Sequence, residues 1–226
     1  MDEGKGQDGN PWGIRFMRMF DMANDSNLFK TFDQLEKTRA KFHGVNWVDT
    51  SGEIFVPLYE GKFIRHFDHR FGSYDQVGKE KGRGGRGLPL TSLKRYSDPN
   101  FSVTPRYWIS EKFVNDRLRN INWTFKWILG WRDVTSSKLE RTVNATIFSR
   151  CGVGDTLLLM FPIGHSAKHI SCLLANLDSL SLDFIARQKI GGTHLKYYTL
   201  KQLPILSFKE YLSNDISFIK ERVLQL

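Results

Sequence analysis

The sequence predicts an α+β fold: a mostly antiparallel, twisted sheet with flanking helices and one long packed helix. Three observations carry that expectation. Runs rich in β-branched and aromatic residues are punctuated by turn residues, as in VNWVDTSGEIFV at 45–56. An apolar stripe at helical spacing runs from about Ser166 to Lys189. Short helices, then strands, then the long helix and a last strand follow one another without the regular alternation of a parallel α/β fold.

Taken in order, residues 1–13 read as a flexible lead-in, polar and glycine-rich, as expected of a segment of a longer chain. Residues 14–226 read as one domain. Ile14, Met17 and Phe20, then Leu28, Phe32 and Leu35, predict two short helices, with Asp25 or Ser26 as the N-cap between them. Val45, Trp47, Ile54 and Val56 bracket the turn DTSGE, a hairpin signal, and Pro57 ends its second strand or holds an edge. GKEKGRGGRGLPLTS, at 78–92, has nothing to pack and should be a mobile surface loop. TPRYWIS predicts a strand. SEKFVNDRLRN predicts a helix capped by Ser110, with Phe113, Val114 and Leu118 on one face. TFKWILGWRDVT and RTVNATIFSRCGVGDTLLLMFP predict strands, with turns at Gly130 and Gly152–Gly154. The long helix carries Ile170, Leu173, Leu174, Leu177, Leu180 and Phe184 on its stripe, and Gly191–Gly192 stop it. THLKYYTLKQLPIL predicts a strand closed by Pro204, and a final helix runs from about Phe208 to the end.

Composition narrows the function. Hydrophobic residues make up 40% of the 226 and aromatics 13%, enough for a packed core. Lys and Arg number 33 against 24 acids, a formal charge of +9, which favours a polyanionic partner, nucleic acid before an acidic membrane. Cys151 and Cys172 lie apart in apolar stretches, as two buried thiols of a reduced, cytoplasmic protein would. No apolar run approaches the roughly 20 residues of a membrane span.

Four constellations could carry chemistry. Asp49 precedes Glu60 by eleven positions, and Glu60 with Lys62 forms an ExK tripeptide, the pattern of a divalent-metal nuclease; a turn aspartate and a surface ion pair account for it far better. His66, Asp68 and His69 offer zinc-type ligands, but on a helix that spacing commonly gives one packed and one exposed histidine, and no third ligand follows. The third is a one-sided basic set, interleaved with Phe63, Phe67, Phe71, Tyr96, Tyr107 and Trp108: Lys62, Arg65, Arg70, Lys79, Lys81, Arg83, Arg86, Lys94, Arg95 and Arg106. Cations of this kind neutralise phosphates and fork onto guanine edges. Last, two glycines after the long helix hold Thr193 and His194 at its exit. No glycine-rich strand–turn–helix for S-adenosylmethionine occurs, and no (D/N)PP(Y/F) tetrad; SDPNF at 97–101 lacks the second proline.

NPWGIRFMRMFDMANDS, VPLYEGKFIRHFDHRF, PRYWI, GWRDVTSSKLERTVNATI and LLANLDSLSLDFIARQKIGGTHLKYYTLKQLPIL stand in this order along nearly the whole chain. Together they resemble the C-terminal halves of adenine-specific DNA methyltransferases of restriction-modification and phage-defence systems, the Eco57I-like and TaqI-like enzymes. The resemblance implies a target-recognition domain that binds duplex DNA sequence-specifically. It further implies that S-adenosylmethionine and the NPPY-type motif belong to a catalytic half preceding this region, which extrudes and methylates the adenine. The chain alone should then methylate nothing and hold no cofactor or metal of its own. The family strings YEGK (Tyr59 to Lys62), RDVT (Arg132 to Thr135), ERT (Glu140 to Thr142) and GGTH (Gly191 to His194) imply framework or phosphate roles more than base reading. Lys196 stands where relatives often carry Asn. The residues expected to contact DNA are Lys62, Arg65, Lys81, Arg83, Arg86, Arg106, Arg132, Arg141, Thr193 and His194. A metal nuclease using Asp49, Glu60 and Lys62, and a module docking other restriction subunits, are the alternatives.

Overall fold

The structure, a computed structural model, describes residues 9–76 and 88–223. In chain order its strands are β1 (Ile14–Met17), β2 (Phe29–Lys30), β3 (Lys41–His43), β4 (Asn46–Val48), β5 (Ile54–Tyr59), β6 (Trp108–Ser110), β7 (Trp127–Arg132), β8 (Ala145–Ser149), β9 (Gly152–Val153) and β10 (Leu157–Pro162). Its helices are α1 (Phe32–Lys37), α2 (Leu93–Tyr96), α3 (Glu111–Arg119), α4 (Ala167–Leu177), α5 (Leu180–Lys189), α6 (Tyr197–Leu200) and α7 (Ser213–Val223).

The fold is α+β. One sheet runs β1-β10-β7-β8, the other β2-β6-β5-β4-β3, with β9 added in parallel beside β5; every other pairing between strands is antiparallel. The alternation of strand side chains sorts the core. On β7 and β10, Leu129, Trp131, Leu158 and Met160 face the helices and pack with Ile170, Leu173, Leu174 and Leu177 of α4. Ile128, Leu157, Leu159 and Phe161 point the other way and meet Val56, Leu58 and Ile109 of the second sheet. The outer face of that sheet carries Trp47, Phe55 and Trp108, covered by Leu35 of α1. The layers are therefore helices, sheet, sheet and one short helix.

Several expectations need correction. Residues 14–17 are a strand, not a helix: Ile14 and Phe16 pack on the helical side and Met17 on the inter-sheet side, a period of two that the spacing of Ile14 and Met17 had disguised. The helix over 32–37 exists, but Thr31 caps it, its hydroxyl accepting from Gln34 N–H while the Gln34 side chain accepts from Thr31 N–H; Asp25 instead accepts the N–H of Asp21. The one long helix is two. Ser179 caps α5 by accepting from Leu182 N–H at 3.2 Å, and the preceding Asp178 turns its carboxylate inward. Leu180 and Phe184 consequently leave the stripe, 77% and 65% exposed. Gly130 is no turn but the middle of β7, where a Cβ would meet Leu158 O at 2.9 Å. Gly152 lies in β9, not in a turn. His66 and His69 are not helical; Phe67 between them sits at φ 58° in a tight turn closed by Arg65 and Asp68. The last strand fails too: Val134 and His194 form a single bridge, after which α6 begins.

Other expectations stand. The hairpin at 46–59 pairs Trp47 with Phe55 and Val48 with Ile54 around the DTSGE turn. Pro57 neither ends β5 nor holds an edge. It lies where β4 has stopped and β9 has not begun, and since Leu58 N–H points to β6, the N–H that proline lacks would face that gap. Of the lead-in, residues 9–13 are anchored: Trp12 is fully buried and its indole N–H donates to Leu206 O at 2.8 Å. Residues 77–87 of the basic loop lie outside the described residues, while Thr91 N–H already bonds Phe71 O at 3.0 Å. Both cysteines are buried and free, and burial pushes the Cys151 thiol far up. Among the described residues no helix is long and apolar enough to cross a membrane.

Candidate nucleic-acid interface

The connection from β7 to β8, residues 133–144, organises most of the predicted site residues, and buried carboxylates hold it. Asp183, on α5, accepts the N–H groups of Thr142 and Val143 at 2.7 and 2.8 Å and the Arg187 guanidinium at 2.9 Å. Burial pushes its carboxyl up, and the bonds from Val143, Arg187 and Thr142 outweigh it, leaving the group below its ordinary range. Asp178 accepts Ala145 N–H and Phe67 N–H, one on each oxygen. There burial wins, and its carboxyl is raised well above the usual range against those two bonds and the charge of Arg141. Asp133 takes His194 Nδ1 at 2.9 Å and Lys196 Nζ at 2.6 Å on one oxygen. Lys196 thus supplies a charge-assisted bond to the buried Asp133 carboxylate.

Around this frame the structure gathers six of the ten predicted DNA contacts. Arg65 pairs with Glu140 and lies 5.1 Å over the Phe71 ring. Arg141 donates to Asp178 O beside the His66 ring. Thr193 O accepts Thr135 N–H, His194 bonds Asp133, and Lys62 bonds Tyr74 and lies 3.0 Å from Glu60. The stem of Arg132 rests against Gly61, where a Cβ would collide with Thr156 O at 2.3 Å. Burial depresses the Arg132 pKa, yet no hydrogen bond or ion pair engages its guanidinium among the described residues. Most of this group is therefore committed to holding the fold, and Arg132 alone of the six has a free fork. Lys81, Arg83 and Arg86 lie outside the described residues.

The tenth residue, Arg106, belongs elsewhere. It stacks 5.1 Å over Tyr107, whose ring packs on Phe29, next to Lys30. A separate basic set, Lys30, Lys37 and Arg39, lies at the outer face of the second sheet. Lys30 lies on edge strand β2 and Lys37 at the end of α1; both line a cleft of about 340 Å³. Arg39 follows; Lys41 lies on the opposite edge, β3, where it pairs with Val48 and so points away from the face that carries Phe42 and Trp47. All four are exposed, and none makes an ion pair among the described residues. Phe32 and Phe42, 44% and 50% exposed, flank the Trp47 indole at 4.9 and 5.1 Å between these cations. Exposed rings among unpaired cations provide stacking faces and phosphate partners together. Edge protection accounts for Lys30 and Lys41 on short edge strands, not for Lys37 and Arg39. Sequence reading passed over this set; KTRAK at 37–41, three cations in five residues, is the signal that marks it.

The remaining constellations are not assembled. Asp49 sits in the β4–β5 turn, its carboxylate accepting from Ser51 and Glu53 N–H. Glu60 follows the far end of β5, roughly 20 Å away at strand rise. Asp68 is taken by Tyr96 OH and Arg70 N–H, and among the described residues no three His, Cys, Asp or Glu side chains group as metal ligands would. Among the described residues no glycine-rich turn leads from a parallel strand into a helix. No protein-family model matches the chain, and no curated protein matches it significantly.

Proposed function

We propose that this chain is a duplex-DNA recognition module, the specificity region of an adenine-specific DNA methyltransferase of a restriction-modification system. The observation that carries DNA binding is the set of exposed Lys30, Lys37 and Arg39, without ion pairs among the described residues, beside exposed Phe32 and Phe42. Asp33 and Glu36 are exposed on the same helix as Lys37, and Asp49 lines the same cleft, so the surplus there rests on the cations that none of these acids pairs among the described residues. Arg106, stacked over Tyr107, and Arg132 offer further contact points away from that face. The methyltransferase assignment is supported by the ordered sequence strings. In that reading a separate catalytic half supplies S-adenosylmethionine and the base-extruding step, and this chain supplies position and affinity.

The test is binding of a random-sequence duplex across a salt series without magnesium, comparing the chain with a Lys30→Ala/Lys37→Ala variant. Binding falls steeply with salt, and the variant's log–log slope is shallower by about one unit per lost phosphate contact. Absence of binding at low salt sinks the reading and favours a module that docks protein subunits. Site selection on the wild-type chain then tests sequence specificity.

A further inference from the structure

We propose that the cleft at the C-terminal end of α3 is a binding site for a phosphate-type oxyanion. The cleft, of about 390 Å³, is lined by Asn115, Arg119, Asn122, Trp123, Thr124 and Arg150. Two guanidinium groups, two amides and a hydroxyl surround it, and no carboxylate lines it. That inventory is rich in donors and one-sided in charge, as an anion requires. Asp116 bonds Arg119 at 3.1 Å but lines the neighbouring cleft, together with Glu53 and Glu111.

The walls are fixed in place. Trp123 is 4% exposed and its indole N–H donates to Trp127 O at 2.8 Å, so it forms a rigid floor. Arg150 is anchored through its backbone, whose N–H donates to Lys126 O at 2.8 Å, and through one terminal nitrogen on Asn115 Oδ1. That bond orients the Asn115 amide and leaves its NH₂ free to donate. Arg150 Nε is buried, with no hydrogen-bond partner among the described residues. Asn122 is held at φ 57° by the turn that ends α3, where Asn122 N–H bonds Arg119 O and Trp123 N–H bonds Leu118 O. None of these groups belongs to the basic set at α1.

The oxyanion is either a free phosphate group or a backbone phosphate of a nucleic acid, and the experiment separates them. Inorganic phosphate is titrated into the intact chain by calorimetry, into Arg119→Gln and into Arg150→Lys. Arg119 is largely exposed, so its variant keeps the fold; Arg150→Lys keeps the charge and loses the fork. Thermal melts in the absence of phosphate verify both. Phosphate binds the wild type, and each variant binds it about tenfold or more weakly. A duplex that competes with phosphate, with a salt slope reduced by about one unit in Arg119→Gln, assigns the site to a backbone phosphate. Phosphate binding without duplex competition assigns it to a free anion, and stands even if the chain binds no DNA. The proposal is overturned if phosphate does not bind at millimolar concentration, or binds both variants as well as the wild type.

Discussion

Replacing Arg39 by Gly should make the protein more stable and a poorer DNA binder at once. Arg39 follows the C-cap Thr38 of α1 at φ 59°, and the turn is held by Arg39 N–H on Glu36 O and Ala40 N–H on Leu35 O. This is the left-handed position that helices commonly give to glycine. A side chain there costs about 1–2 kcal/mol, and glycine's extra freedom in the unfolded chain returns roughly 0.5–1 kcal/mol of that. Arg39 is exposed and unpaired among the described residues, so no packing is lost. The net gain is about 0.5–1 kcal/mol, or about 1–4 °C in melting temperature for a chain of this size. Urea denaturation measures the first effect and the salt-dependent duplex titration the second. Arg39→Ala is the control, keeping the strain and losing the charge, so its stability stays near wild type while its binding falls as in the Gly variant. A Gly variant no more stable than the Ala variant refutes the strain. Unchanged affinity in both refutes the role assigned to the cation.

Other perturbations have equally definite signs. Gly61→Ala places a methyl group against Thr156 O, a backbone atom that cannot swing away, and should cost several times what Gly152→Ala costs, where Ile109 and Leu58 side chains are the obstacles; denaturant midpoints with unchanged slopes check this. Asp183→Ala strands two backbone N–H groups and Arg187, and should lose about 3–5 kcal/mol in the same assay, enough to unfold a marginal domain. Burial lowers the pKa of His66, His69 and His165 from an ordinary 6.5, so the native state binds fewer protons than the unfolded one. Their contribution is complete above that value and lost as pH falls below it; Asp178, shifted up, acts in the opposite direction at lower pH. A melting temperature that holds constant from neutrality to pH values well below 6.5 contradicts the burial of these rings.

The sequence signalled elements whose pattern answers to one environment. Trp47, Phe55 and the DTSGE turn mark a hairpin because one strand face is buried and the turn chemistry is local. It misled where two elements share a pattern. Ser166 to Lys189 carries helical spacing throughout, yet Asp178 and Ser179 inside it form a cap pair, and the partners of Asp178, Phe67 and Ala145, are more than thirty residues distant. No local reading shows that a carboxylate will be drawn to them. The expected site divided for a related reason. Arg65, Arg141 and His194 look like free cations in one dimension, and their acids and carbonyls arrive only through folding. The unpaired set near α1 was obscured because residues 14–42 were treated as helical stripes, which draws the eye to apolar positions and away from Lys37, Arg39 and Lys41.

The α1 layer rests on its own small core of Leu35, Trp47, Phe55 and Trp108, on the far side of the sheet from the rest of the apolar interior. Substitutions on its outer surface therefore act on a unit whose loosening need not propagate to the main core. Amide protons of this layer should exchange with solvent before those of β7 and β10. The outer surface is thus free to be rewritten by mutation while the central strands keep the chain folded.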